Sequence, residues 1–582
     1  MNGREEKVRS ATVDEINEAL ISFNSGCNFE VLDVFGVHLE NNKEGYTYVF
    51  RTYAPDAVRI ELTGDFNSWG GEKMHRLNGH GVWEGRVVSD IPLDGTCYKY
   101  CVYTEDGFSL VSDIFAVYSL GLPRNDSIIY TSDEFVWHDD TWMCDRKKRD
   151  MMSEPMNIYK VELARFKSAS GGYMNYRDIS ENLAEYVAEM GYTHIEFSSF
   201  VEQIDSVFGD GRDTLFSPPS RHGRPEDFKY LVEHLHLAGI AVLLDVFPPD
   251  RKSHNEISLG EESCILSSIY YWYEKYHIDG FVLCKNSKNN MAKLIPEDLE
   301  KKNSDAEELL SSLAEKIKKR LPSALLISDK CVSKNEASRE SFDMYLNGNW
   351  GENIFEPEDA EQDVIKYKYG RLNYELMRSF ESRYVLCFQA SEMMREAYDG
   401  EMRGERLALI KLMYSYMILH PGKKLTVMGS EFGEENVRQA WDGFVGKYEG
   451  GRKLKKYICE LNRFYLSESA LWEQDFSWKG FEWISHAAEN NGVMVFQRIG
   501  KKGNGVIAII NFEKENKDFE LELCKECKEL KIIFESEKGR HNASYEIVIA
   551  EHAGNGDALA KFMLEPLSVT VCKTLLCAEQ EV

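Results

Sequence analysis

Residues 220–246 read SRHGRPEDFKYLVEHLHLAGIAVLLDV, a single helix-to-strand unit. Phe228, Leu231, Val232 and Leu235 recur at steps of three and four, which puts them on one helix face. Gly239 closes that helix, since glycine readily takes the left-handed backbone of a helix end, and IAVLLDV follows as a strand. The unit recurs. Leu183, Tyr186, Val187 and Met190 form a stripe closed by Gly191 before the strand THIEF. Ile265, Ile269, Trp272 and Tyr276 precede FVLC, a charged helix after Asn303 precedes ALLIS, and the helix from Ile410 to Leu419 precedes KLTVMG. Strands alternating with helices over residues 158–470 predict a (β/α)8 TIM barrel, with its active face at the C-terminal ends of the strands.

On either side of the barrel the rhythm is that of β structure. YTYVFRTYA, AVRIELTG, GVWEGRVV and TCYKYCVYT alternate apolar and polar residues between Gly, Asn and Asp turns, which predicts a small β-sandwich over residues 37–130. Residues 1–36 read as an N-terminal segment and 131–157 as a linker. The tail, 471–582, returns to strands (GVMVFQRI, GVIAIINF, LSVTVC) around an irregular segment, GRHNASYEIVIAEHAGNGDA, read as a long loop. The expected whole is multidomain α/β plus β, as a chain of 582 residues requires.

Charge and cysteine content narrow the partners. With 69 basic against 97 acidic residues the net charge is −28, which repels nucleic acid and anionic membrane but is compatible with neutral sugars. The start, MNGREEKVRSATVDE, has no apolar run, and no later stretch is long enough to span a bilayer. The 13 cysteines lack paired metal spacing and read as reduced thiols, so a cytoplasmic protein without metal or cofactor is expected. Cys524 and Cys527 form a Cys-x-x-Cys, but it has no second pair.

With these elements placed, two sets of motifs carry a resemblance. Gly64-Asp65-Phe66-Asn67-Ser68-Trp69, Val82-Trp83-Glu84 and Tyr98-Lys99-Tyr100 resemble a starch-binding-type carbohydrate module. Residues 220–246, YHIDG, HPGKKLTVMGSEFG (420–433) and GFEWI (480–484) resemble the glycogen branching enzyme group of the α-amylase superfamily. The resemblance is collinear from about Phe29 to the C-terminus. It implies a module, a barrel and a C-terminal β-sandwich, and an ancestral reaction that cuts an α-1,4-glucan and rejoins it as an α-1,6 branch. Such a retaining reaction needs a carboxylate nucleophile and a carboxylic acid/base about 5–5.5 Å apart. A third carboxylate stabilises the transition state in this superfamily.

Position by position the chain departs from that pattern. Cys284 stands for the nucleophile, Val282 for the Arg two residues before it, Asp329 for the acid/base Glu, and Ala390-Ser391 for the His-Asp pair that brings the third carboxylate. Asp250 replaces a His, Phe208-Gly209-Asp210-Gly211 replaces a Trp-Gly-Tyr-Gln stretch, and only Asp245 is intact. The first barrel strand, IYKVELARF, lacks the expected His-Gly-Ser-Trp features, and the segment from Pro248 to Ile265 is short.

Each change has a chemical reading. Cys284 reads as a small apolar filler, because a thiolate nucleophile needs a depressed pKa. Asp329 is one methylene short, a retraction of about 1.5 Å, where a displacement of about 1 Å costs about 10²-fold. Ser391 cannot stabilise a cation by charge. Asp245 loses its Arg partner and must be protonated, solvated or re-paired, with Lys285 and Lys330 nearby in sequence.

The resulting expectation has no intact catalytic residue. The chain reads as a catalytically inactive homologue, a pseudoenzyme that binds α-glucan or a glycogen-metabolism protein. In the module, Trp69 and Phe108 are the expected stacking platforms and Lys99 a hydroxyl partner. The alternatives are an active enzyme with relocated carboxylates, for which Asp210 and Asp250 are the cleft candidates, and a scaffold without glucan binding.

Overall fold

A computed structural model describes residues 12–42, 45–77, 81–105, 107–121, 123–168, 171–198, 214–246, 259–284, 299–329, 340–348, 350–355, 364–388, 404–433, 449–487, 492–523, 527–537 and 558–576. Eight parallel strands close a barrel in chain order: β1 (Asn157–Glu162), β2 (His194–Ser198), β3 (Ala241–Val246), β4 (Gly280–Leu283), β5 (Leu325–Ser328), β6 (Met344–Asn347), β7 (Tyr384–Phe388) and β8 (Lys423–Val427). β8 pairs back on β1 with Asn157 opposite Lys424. The lumen is filled by Met156, Ile158, Leu243, Val282, Leu325, Ile327, Met344, Val385 and Leu425, so it is a packed core.

The helix Pro225–Leu237 bears out the reading of its stripe: Phe228, Leu231, Val232 and Leu235 are buried against the barrel. Proline at its first turn forfeits no hydrogen bond, and Asp227 accepts the Arg224 N–H at 3.1 Å. At its end Gly239 has φ +80°, its N–H reaches the His236 carbonyl at 2.9 Å and that of Ile240 the Leu235 carbonyl at 2.9 Å, a Schellman pair. Gly191 (φ +77°) ends Tyr176–Glu189 the same way, through Ala188 and Val187.

Two antiparallel sheets form the N-terminal sandwich. One holds Gly36–Asn42, Gly45–Tyr53, Val82–Ser89 and His75–Arg76; the other Glu72–Lys73, Arg59–Gly64, Cys97–Thr104 and Gly107–Val111. Tyr48, Phe50, Leu62, Trp83, Tyr98 and Tyr100 pack between them. Trp83 belongs to this core and donates its Nε1–H to the Ala54 carbonyl at 3.0 Å. The helix Val13–Asn24 begins at a capping box of Thr12 and Glu15. Its Phe23 joins Phe35 and Phe115 of the sandwich and Phe216 and Cys264 of the barrel in one cluster.

The C-terminal domain has a five-stranded sheet (Phe481–Ser485, Val493–Ile499, Gly505–Asn511, Ser568–Leu576, Cys527–Glu535) and a two-stranded one (Lys517–Leu523, Ala558–Leu564). Cys524 and most of the segment read as a long loop lie outside the described residues. A fully buried ion cluster joins this domain to the barrel. Asp475 holds Lys423, at the start of β8, at 3.0 Å and Arg498 at 2.8 Å, and accepts the Gly422 N–H at 3.1 Å.

A second buried network closes the barrel's N-terminal end. His236 lies between Asp139 (2.7 Å) and Asp279 (3.1 Å), Trp142 donates to Asp279 at 2.9 Å, and Arg146 donates to the Ile278 carbonyl at 2.9 Å. Three of these residues come from the stretch read as a linker.

Candidate functional site

The active face of such a barrel is built where its strands end, and β1 to β5 end in one polar cluster. Cys284 directly follows β4 and donates its N–H to the Val246 carbonyl of β3 at 2.9 Å. Its Sγ is buried, 3.7 Å from the Val282 carbonyl. Burial, then the charges of Asp245 and Asp329, push this thiol well above its ordinary pKa, with Lys160 opposing. A thiol held protonated is a poor nucleophile. In the native protein we expect Cys284 to resist iodoacetamide at pH 8 while the exposed Cys27 and Cys144 are carbamidomethylated. Peptide mass spectrometry reads the difference, and modification of Cys284 at the rate of the exposed pair would overturn it.

Val282 points into the packed lumen, in register with Asp245 on the neighbouring strand. The cation that pairs with Asp245 comes instead from β1. Lys160 Nζ lies 3.0 Å from Asp245 Oδ2 and also donates to Glu196 Oε1 of β2. Lys285 and Lys330, the nearest lysines in sequence, lie outside the described residues. Burial disfavours the ammonium, but Asp245 and Glu196 outweigh it and raise Lys160 well above the usual lysine range. Glu196 is raised too, first by burial and then by Asp245, with Lys160 pulling the other way. One ammonium thus serves two carboxyl groups.

Asp329 follows β5, half-buried, and donates its N–H to the Leu283 carbonyl at 3.1 Å. The structure therefore brings Cys284, Val282, Asp245 and Asp329 to one end of the barrel, as the sequence placed them. It adds Lys160 and Glu196, which the sequence reading quoted within IYKVELARF and THIEF without assigning them. The missed signal was a lysine in the middle of an apolar strand. Asp210, Asp250, Ala390 and Ser391 lie outside the described residues. Among the described residues no group of His, Cys, Asp and Glu could hold a metal ion, and no helix is long and apolar enough to cross a membrane.

In the module, Trp69 is 39% exposed and has φ +62°, a left-handed backbone that an aromatic residue rarely adopts. Its Nε1–H donates to Asp65 Oδ1 at 3.0 Å, and Asp65 in turn accepts the Cys97 N–H at 2.8 Å, which fixes the ring. Lys99 is engaged: it donates to the Arg124 carbonyl at 2.7 Å and pairs with Asp126 at 3.1 Å. Phe108 lies at the other end of the sheet, 69% exposed, 5.7 Å from the Tyr103 ring. Trp69 and Phe108 are not brought together.

A sandwich with a fixed surface indole, a closed parallel barrel and a terminal β domain define an α-amylase-type chain with an appended carbohydrate module. Comparison with known proteins agrees. Residues 34–116 match carbohydrate-binding module 48 (isoamylase N-terminal domain), and residues 483–574 match the α-amylase C-terminal all-β domain. The putative α-amylase from Salmonella typhimurium superposes with a TM-score of 0.62 at 15% identity, over 93% of this chain and 99% of that one. Type I pullulanase from Bacillus subtilis gives a TM-score of 0.64 at 14% identity, over 93% and 85%.

In sequence, the 1,4-alpha-glucan branching enzyme GlgB of Fusobacterium nucleatum is 30% identical over 90% of this chain and 92% of its own length. That of Albidiferax ferrireducens is 30% identical over 84% and 87%. The chain belongs to the 1,4-alpha-glucan branching enzyme family.

Proposed function

We propose that this protein is a catalytically inactive member of its family that acts in the cytosol by binding α-glucan, or a protein of glycogen metabolism, rather than by branching glucan. The observation that carries this reading is the ion-paired cluster at the ends of β1, β2 and β3. Asp245 and Glu196 are both spent on Lys160, with side chains only 2% and 1% exposed, so neither faces a glycosidic oxygen. Beside them the nucleophile position holds a buried thiol kept protonated. A retaining mechanism needs one ionised and one protonated carboxyl flanking the scissile bond. Among the described residues, this end of the barrel offers its buried carboxyls to a lysine instead. The sandwich supports the binding half of the reading: its match to a carbohydrate-binding module and its fixed, exposed Trp69 supply a face on which a sugar ring packs.

The test is an iodine-stain branching assay on amylose with purified protein. We expect the absorbance of the iodine complex to stay constant over hours at micromolar protein, against a rapid fall with an active homologue. Clear turnover refutes the proposal.

A further inference from the structure

The outer face of the module's second sheet carries a group of side chains that the binding motif does not account for. Strand alternation puts Arg59 and Glu61 of one strand, Tyr103 of the next and Phe108 of the edge strand on that face, since Arg59 pairs with Tyr103 and Tyr103 with Phe108. The Arg59 guanidinium lies over the Tyr103 ring at 3.8 Å, and Tyr103 donates its hydroxyl to Glu61 Oε2 at 3.0 Å. The Tyr103 and Phe108 rings are tilted by 31°. Tyr103 is thus held from both sides while Phe108 stands out in water, a rigid aromatic surface edged by a carboxylate and a guanidinium.

The turn that bears Trp69 rests on the same face. A Cβ on Gly71 would lie 2.6 Å from Glu61 Oε2 and 3.2 Å from Glu61 Cβ, so glycine lets that turn press against Glu61. Along the sheet, Gly64 at the start of the turn pairs with Tyr98, and Arg59 with Tyr103. These five residues at about 3.4 Å each separate the two aromatic ends by about 17 Å.

We propose that Tyr103 and Phe108 form a second sugar platform, so that the module recognises α-1,4-glucan chains long enough to reach from Trp69 to Phe108 and discriminates against disaccharides. This rests on the glucan-binding reading above. Aromatic faces stack on sugar rings, and Glu61 and Arg59 supply an acceptor and donors for hydroxyls. Two platforms on one rigid sheet make the second contact intramolecular, so affinity rises steeply once a chain spans both.

The experiment is calorimetric titration of the full-length protein with maltose, maltotriose and maltoheptaose, with affinity electrophoresis in glycogen and light scattering in parallel. Wild type is expected to bind maltoheptaose far more tightly than maltose. Phe108→Ala lowers the maltoheptaose affinity about tenfold and leaves that for maltose unchanged, and Phe108→Trp restores it. Phe108 is largely exposed, so its truncation should leave the melting temperature unaltered. If Phe108→Ala binds every ligand like wild type while Trp69→Ala abolishes binding, the second platform is refuted and the glucan reading stands. If wild type binds no glucan of any length, both fall. If Phe108→Ala changes only the oligomeric mass, the ridge is an interface between copies, and the sugar platform is refuted.

Discussion

Replacing Lys160 by Met is expected to lower the unfolding free energy by about 3–5 kcal/mol, the cost of breaking a buried ion pair from one side. The ammonium is the shared partner of Asp245 and Glu196, whose side chains are almost wholly buried. Methionine fills a similar volume, so the loss isolates the charge rather than the packing. The second part of the expectation is more specific. Val282 is in register with Asp245, and the family resemblance puts an arginine at that position. Adding Val282→Arg to Lys160→Met should recover much of the loss, whereas Val282→Arg alone, forcing a second cation into a filled lumen, should destabilise. Denaturant unfolding of the four proteins measures the coupling as a double-mutant cycle. A double variant no more stable than Lys160→Met would show that the two positions do not serve the same carboxylate.

Asp475→Asn is expected to be at least as damaging. Its carboxylate is the counter-ion of both Lys423 and Arg498, and all three side chains are fully buried. Burial lowers the Lys423 pKa, and Asp475 is what chiefly opposes it. Removing the negative charge leaves two buried cations facing each other across the joint between barrel and C-terminal domain, at a cost of about 3–5 kcal/mol. The expected signature is a drop in the unfolding midpoint together with faster proteolysis around residues 472–480, where the domains meet. An unchanged midpoint would mean that the joint is held by its apolar contacts alone.

The fold was legible because its signals are local. A four-residue stripe, a closing glycine and an apolar strand are all contained in the stretch 220–246, and Gly191 and Gly239 have the positive φ that this reading required. The positions of Cys284, Asp245 and Asp329 followed for the same reason, since each sits at a strand end. Pairings were not legible. Lys160 and Asp245 are 85 residues apart and meet only because β1 to β3 curve around one lumen. Sequence proximity nominated Lys285 and Lys330 for a role that strand order gives to Lys160. Lys99 looked free for a ligand because Asp126, which engages it, is 27 positions further on. Phe108 and Trp69 looked like one platform because nothing local records which end of a sheet a hairpin tip reaches.

The network around His236 bears on how such chains could be recombined. Asp139, Trp142 and Arg146 form the floor of the barrel, although they precede its first strand by more than ten positions. A barrel cut at β1 would leave His236 with one carboxylate instead of two and would expose the Asp279 carboxylate to solvent. Shuffling that exchanges the sandwich while keeping the barrel intact must therefore join upstream of Asp139. The unit inherited as a barrel begins well before its first strand.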